Sequence, residues 1–236
     1  MDVQDAVDNF GNAMQHCDNL VVVHRAGRDG TRGRLTVEPS VNRGTIVLAV
    51  AAWQAFIQDI AQALCDKALA ELKPVTTTPL TVGAVEQWQV DFVAALRKFS
   101  TPAPDQLCTL LQRVGFNPRP SWTWTQRGGR GNGTVLVEPK HVAQVLEQWL
   151  KVRHAVAHGH STLGSLPVLG AVRDPKSSAK AKAAPTLRLA DAIDCTKFFR
   201  SVGWLTARAA AAHVQADSPT WTSTPPLALG LHISRL

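Results

Sequence analysis

The sequence predicts an all-α fold, a single helical bundle decorated with long basic loops. Apolar residues recur at helical spacing through six stretches of the chain. Several of these stretches open beside a proline or close at a glycine or proline, the residues that start and stop helices. Strand-like alternation is confined to SWTWT at 121–125, too short to argue for a sheet of any size. With 236 residues, 45% hydrophobic and 18% charged, the chain can bury one sizeable core and reads as one domain, 1–236.

Residues 1–26 read as one helix or two short ones, with Val7, Phe10, Met14, Cys17 and Val21 at helical spacing. RAGRDGTRGR at 25–34 then breaks regular structure with glycines and gathers arginines. Pro39 suits a first helical turn, and from there to Leu72 runs the strongest helical pattern in the chain. Its wide apolar face carries Ile46, Ala49, Val50, Trp53, Phe56, Ile57, Ile60 and Leu64. Pro74 and the following Thr/Pro cluster end it. A helix at about 84–99 carries Val85, Trp88, Phe92 and Leu96, and another at 104–114 stops at Gly115.

Residues 117–136 read as a long loop or a small hairpin. VEP at 137–139 opens a helix running to about His158, with Val142, Val145, Trp149, Val152 and Val156 as its buried stripe. RGRLTVEP at 32–39 echoes RGNGTVLVEP at 130–139. An internal repeat and two uses of one glycine-break, proline-start solution explain that echo equally well. Residues 171–186 read as a mobile loop rich in Pro, Ser, Ala and Lys, and 187–215 as a closing helix with Leu189, Ile193, Phe198, Trp204 and Leu205. The tail is turn-rich.

A net charge of +7 suits a polyanionic partner such as nucleic acid, although surface charge of this size also serves solubility. Cys17, Cys65, Cys108 and Cys195 lie far apart with no CxxC pair, so they read as small buried residues in a reducing compartment. The N-terminus is acidic and lacks an apolar signal core, and TIVLAVAAW at 45–53 falls short of a bilayer span. A cytoplasmic protein without membrane attachment is expected.

The chemistry concentrates in RHAVAHGH at 153–160, which holds three of the eight histidines. Three readings compete. His154 and His158 stand at i and i+4, so both rings can face one ion. A zinc-protease helix, however, places Glu directly after the first His, and here that residue is Ala155. Positive charge at a helix C-terminus also suits the macrodipole, with Gly159 as the stop, but this leaves further histidines unexplained.

The third reading is cleavage of a phosphodiester in RNA, which carries its own nucleophile in the 2′-OH. Such cleavage needs a base near neutrality, the natural task of histidine, and a cation to hold charge on the phosphate, the task of arginine. His158 and Arg153 supply the pair, with His154 as polar helper. The two lie roughly 140° apart around an ideal helix, so a partner helix or a two-fold copy has to complete the site.

RHAVAHG resembles the Arg-x4-His motif of the HEPN superfamily, with Arg153, His154 and His158 at the motif's Arg, polar and His positions. LAVAAWQAFIQDIAQALCDKAL at 48–69 is similar to an early helix of the RiboL-PSP and related HEPN subgroup, and 187–214 resembles its closing helix. The resemblance spans most of 40–215 and leaves the N-terminal helix at 1–26 and the tail at 217–236 as additions. It implies an all-α bundle that dimerises with two motif helices facing each other across a cleft. It also implies a metal-independent endoribonuclease of a toxin–antitoxin or defence system, with RNA as substrate and an antitoxin or regulatory protein as a further partner. Other members bind RNA or proteins without catalysis.

On this resemblance Arg153, His154 and His158 are catalytic, and no metal or other cofactor is expected. Arg28, Arg32, Arg34, Arg127 and Arg130 are placed to track a phosphate backbone from the cleft rim, and His160 to touch substrate from the loop past the helix. Gln54 stands where relatives often carry Glu; if that acid orients the motif arginine, Gln54 would hold it by hydrogen bonding without charge. GGRGNG at 128–133 lacks the Lys-Ser/Thr of a phosphate-binding loop, which argues against nucleotide hydrolysis there.

Overall fold

The computed structural model describes residues 1–26, 37–127, 133–160, 163–173, 187–233 and 236. The described residues form seven α-helices: α1 (Val3–Ala26), α2 (Val37–Leu72), α3 (Pro79–Lys98), α4 (Pro104–Gln112), α5 (Pro139–Ala157), α6 (Gly170–Arg173) and α7 (Leu189–His213). One antiparallel hairpin, β1 (Trp124–Arg127) with β2 (Thr134–Val137), precedes α5. The expected all-α class is what is observed. The ambiguous stretch at 117–136 supplies most of the hairpin, which ends at Val137 in register Trp124↔Val137, so the helix expected from Val137 begins at Pro139.

The centre of the molecule is α2. Its most apolar window has a mean hydropathy of 1.4, and by length and composition Pro39–Leu72 is apolar enough to cross a membrane. That length goes beyond the short apolar run read from the sequence, because helical continuity carries it past Gln54, Gln58 and Asp59. Ile46, Val50, Trp53, Phe56, Ile57 and Ile60 on this helix are buried among other helices.

The long neighbour of α2 is α1, which runs antiparallel to it. Asn9 donates to Asp59 at 3.0 Å, the N-terminal amine meets Asp66 at 3.2 Å, and the Cys17 thiol reaches the Thr45 carbonyl at 3.8 Å. Phe10 stacks against Phe56 with ring centroids 4.7 Å apart, and Trp53 links Phe56 to Phe199 of α7 at 5.8 Å each. Gly203 permits the close approach of α7, since a Cβ there would lie 2.7 Å from the Phe10 ring. Although 1–26 lies outside the stretch that resembles HEPN proteins, Val3, Val7, Phe10, Met14 and Cys17 are members of the same contiguous core.

The tail also joins the core through Leu229 and Leu231. Gln126 of β1 accepts from the Leu229 N–H at 3.2 Å and donates to the Leu231 carbonyl at 3.2 Å. Arg173, read from sequence as part of a mobile loop, instead pairs with Asp194 at 2.9 Å and donates to the Gly230 carbonyl. The remainder of that loop, 174–186, lies outside the described residues.

The helix expected at 84–99 starts five residues earlier, because Thr78 caps it through Thr81 and Pro79 pre-sets its first turn. Its C-terminal end is fastened to α2: Gln54 and Gln58, one turn apart, donate to the Phe99 and Leu96 carbonyls at 3.3 Å each.

Candidate functional site at the end of α5

Residues on one face of α5 hold it in place. Val142, Val145, Leu146, Trp149 and Val152 are buried, while Val156, expected to continue that stripe, is only half-buried in the last turn. The motif therefore occupies a turn that has begun to leave the core. Arg153 is half-buried, and His154, His158 and His160 are exposed.

The way the helix ends decides where the histidines go. His158 is the C-cap, and Gly159 adopts a left-handed φ of 67° that an L side chain resists. The Gly159 N–H bonds back to the Val156 carbonyl at 3.1 Å and the His160 N–H to the Ala155 carbonyl at 2.9 Å. This pair of bonds is a Schellman motif, and it reverses the chain. His160, read from sequence as a loop residue past the helix, is thereby folded back beside the other two. Ring centroids of His154 and His158 are 4.2 Å apart, and His160 lies 6.4 and 6.1 Å from them. The sequence signal for this was His-Gly-His at the end of a helical pattern.

Among the described residues, none of the three imidazoles makes a hydrogen bond or ion pair, and neither does the Arg153 guanidinium. Exposed cationic and titratable groups without carboxylate partners are free to meet an anion from solvent. Among the described residues Gln54 makes no hydrogen bond to Arg153. Its amide is committed to the Phe99 carbonyl, because the end of α3 presents an unpaired acceptor there.

The expected phosphate-tracking arginines divide into two groups. Arg28, Arg32, Arg34 and Arg130 lie outside the described residues. Arg127 is exposed at the end of β1, opposite Thr134. The hairpin enters the N-terminal end of α5, whereas the motif occupies its C-terminal end. At 1.5 Å per residue, 19 residues separate these ends by about 28 Å.

Other chemistries find little support in the remaining groups. All four cysteines are buried, and burial pushes the Cys17 and Cys65 thiols up to about 11, so they are poor nucleophiles. Among the described residues, no group of three or more His, Cys, Asp or Glu side chains is arranged to hold a metal ion. A small cleft lined by Leu64, Lys67, Glu71, His213 and Gln215 lies where α2 and α7 end, and its Lys67 and Glu71 pair with each other at 3.1 Å. Buried Asp191 accepts from the Gly170 and Arg188 N–H groups at 2.6 and 2.8 Å, which is a structural use. Burial raises its carboxyl, and those two N–H donors oppose the shift.

No protein-family model, curated protein or solved structure matches this chain.

Proposed function

We propose that this chain is a metal-independent endoribonuclease that works as a homodimer in the cytoplasm, in the manner of the HEPN proteins its motif resembles. The observation that carries the reading is the gathering of three exposed imidazoles, without carboxylate partners, at one helix end beside a free Arg153. His158 takes the proton of an RNA 2′-OH, and the 2′-oxygen attacks the adjacent phosphorus. Arg153 stabilises the charge that builds on the phosphate oxygens. The P–O5′ bond breaks and the 5′-oxygen takes a proton from an imidazolium, with His154 assisting. The products carry 2′,3′-cyclic phosphate and 5′-hydroxyl ends.

Because Arg153 and His158 diverge around α5, one chain does not present both to one phosphate; a two-fold copy of the helix completes the site. Arg127, exposed on the hairpin that leads into the far end of α5, serves to hold the RNA backbone, and a toxin or defence role with a neutralising protein partner fits such an activity. Incubating purified chain with RNA in excess EDTA tests this reading. The wild type is expected to cut, and an Arg153→Ala, His158→Ala double variant is not. Absence of a difference between them overturns the assignment.

A second reading, an inactive RNA- or protein-binding module of the same fold, draws on one observation: Gln54 is tied to α3 and leaves Arg153 without an orienting partner. Growth arrest on expression of the wild type but not of His158→Ala argues against it.

A further inference from the structure

No metal is expected from the HEPN resemblance, yet the fold brings two imidazoles together at the same helix end. We infer that His154 and His158 bind one borderline divalent cation of the Zn2+, Cu2+ or Ni2+ class, as a two-histidine surface chelate completed by water.

Four features of the molecule support this. First, the rings are one helical turn apart with centroids at 4.2 Å. A tetrahedral ion with Zn–N bonds of about 2.0–2.1 Å needs its two nitrogens about 3.3 Å apart, which rings at that spacing reach. Second, both rings are exposed and make no hydrogen bond among the described residues, so a nitrogen of each is available without breaking an existing bond. Third, the pair stands at the C-terminus of a 19-residue helix, where the backbone dipole favours a cation. Fourth, the thiols that compete best for such ions are buried at all four cysteines.

His160, at 6.1 and 6.4 Å from the pair, is not required as a ligand, which agrees with the absence of any three-residue metal group among the described residues. Imidazole nitrogen selects borderline metals, so Mg2+ and Ca2+, which prefer oxygen, are not expected to bind here.

One consequence rests on the proposed ribonuclease activity: a cation on His158 occupies the lone pair that accepts the 2′-OH proton, so Zn2+ inhibits cleavage and EDTA relieves it. The binding claim stands apart from that activity and is tested without RNA. Equilibrium dialysis of the full chain, free of any added histidine tag, against Zn2+ alone at neutral pH is the measurement. The wild type is expected to hold one equivalent. Loss of either chelate ligand removes the effective-concentration advantage of the second, so His154→Ala and His158→Ala each weaken binding about 100-fold. His160→Ala leaves it unchanged, and circular dichroism verifies that each variant is folded. No binding by the wild type, binding that survives in both His154→Ala and His158→Ala, or an equal loss in His160→Ala overturns the proposal. A chain that binds Zn2+ but cuts no RNA retains this site and loses the ribonuclease reading.

Discussion

The two ends of α5 use histidine in opposite ways. At the N-terminal end, His141 is largely buried and its Nδ1 accepts from the Glu138 backbone N–H at 3.0 Å. Glu138 in turn meets Lys140 at 2.7 Å, and that ammonium holds its carboxyl below the usual range. His141, Glu138 and Lys140 are thus partnered with one another there. At the C-terminal end, His154, His158 and His160 are exposed, their rings lie near one another, and among the described residues they make no hydrogen bond or ion pair. A protein that needed imidazole only to end a helix would not keep three without partners, since one cation satisfies the dipole. The contrast separates a histidine tied into the fold by a hydrogen bond from histidines that have no such bond among the described residues.

Substitutions along α5 test that contrast, and the largest effect falls between its ends. Trp149 is 1% exposed, and Trp149→Ala is expected to lower unfolding free energy by about 3–5 kcal/mol in a denaturant titration. Gly159→Ala places a Cβ on a left-handed backbone and costs about 1–2 kcal/mol in the same titration. It also loosens the reversal that brings His160 back, so His160 is expected to lose its close neighbours in nuclear magnetic resonance spectra. The smallest effects form a paired comparison. His141→Ala removes an acceptor from a helix start and costs about 1 kcal/mol. His158→Ala, an exposed site, changes stability by less than about 0.5 kcal/mol. If His158→Ala destabilised the chain more than His141→Ala, the C-terminal histidines would be structural and the contrast would fail.

The helices were legible in the sequence because a buried stripe repeats every three or four residues, as in Val142, Val145, Trp149 and Val152. Their ends were less so. The start of α3 depends on a Thr78–Thr81 cap without the acidic partner that usually signals one. Long-range packing left no periodic trace: nothing local shows that Phe10 needs Gly203, or that Gln126 holds both sides of Leu229–Leu231. The candidate site divides the same way. Arg153, His154 and His158 stood out by type and spacing, whereas the return of His160 depends on one left-handed φ. Gln54 was legible as a departure from the HEPN pattern that the sequence resembles, but its bond to Phe99 arises from the end of another helix.

The central claim, that the C-terminal end of α5 is an acid–base site for RNA, is tested most directly by the ends it leaves. RNA incubated with the purified chain in excess EDTA is expected to yield fragments with 2′,3′-cyclic phosphate and 5′-hydroxyl termini. The Arg153→Ala, His158→Ala double variant, folded by circular dichroism, is expected to yield none. Fragments with 3′-hydroxyl and 5′-phosphate termini, or the same fragments from the double variant, would contradict the account.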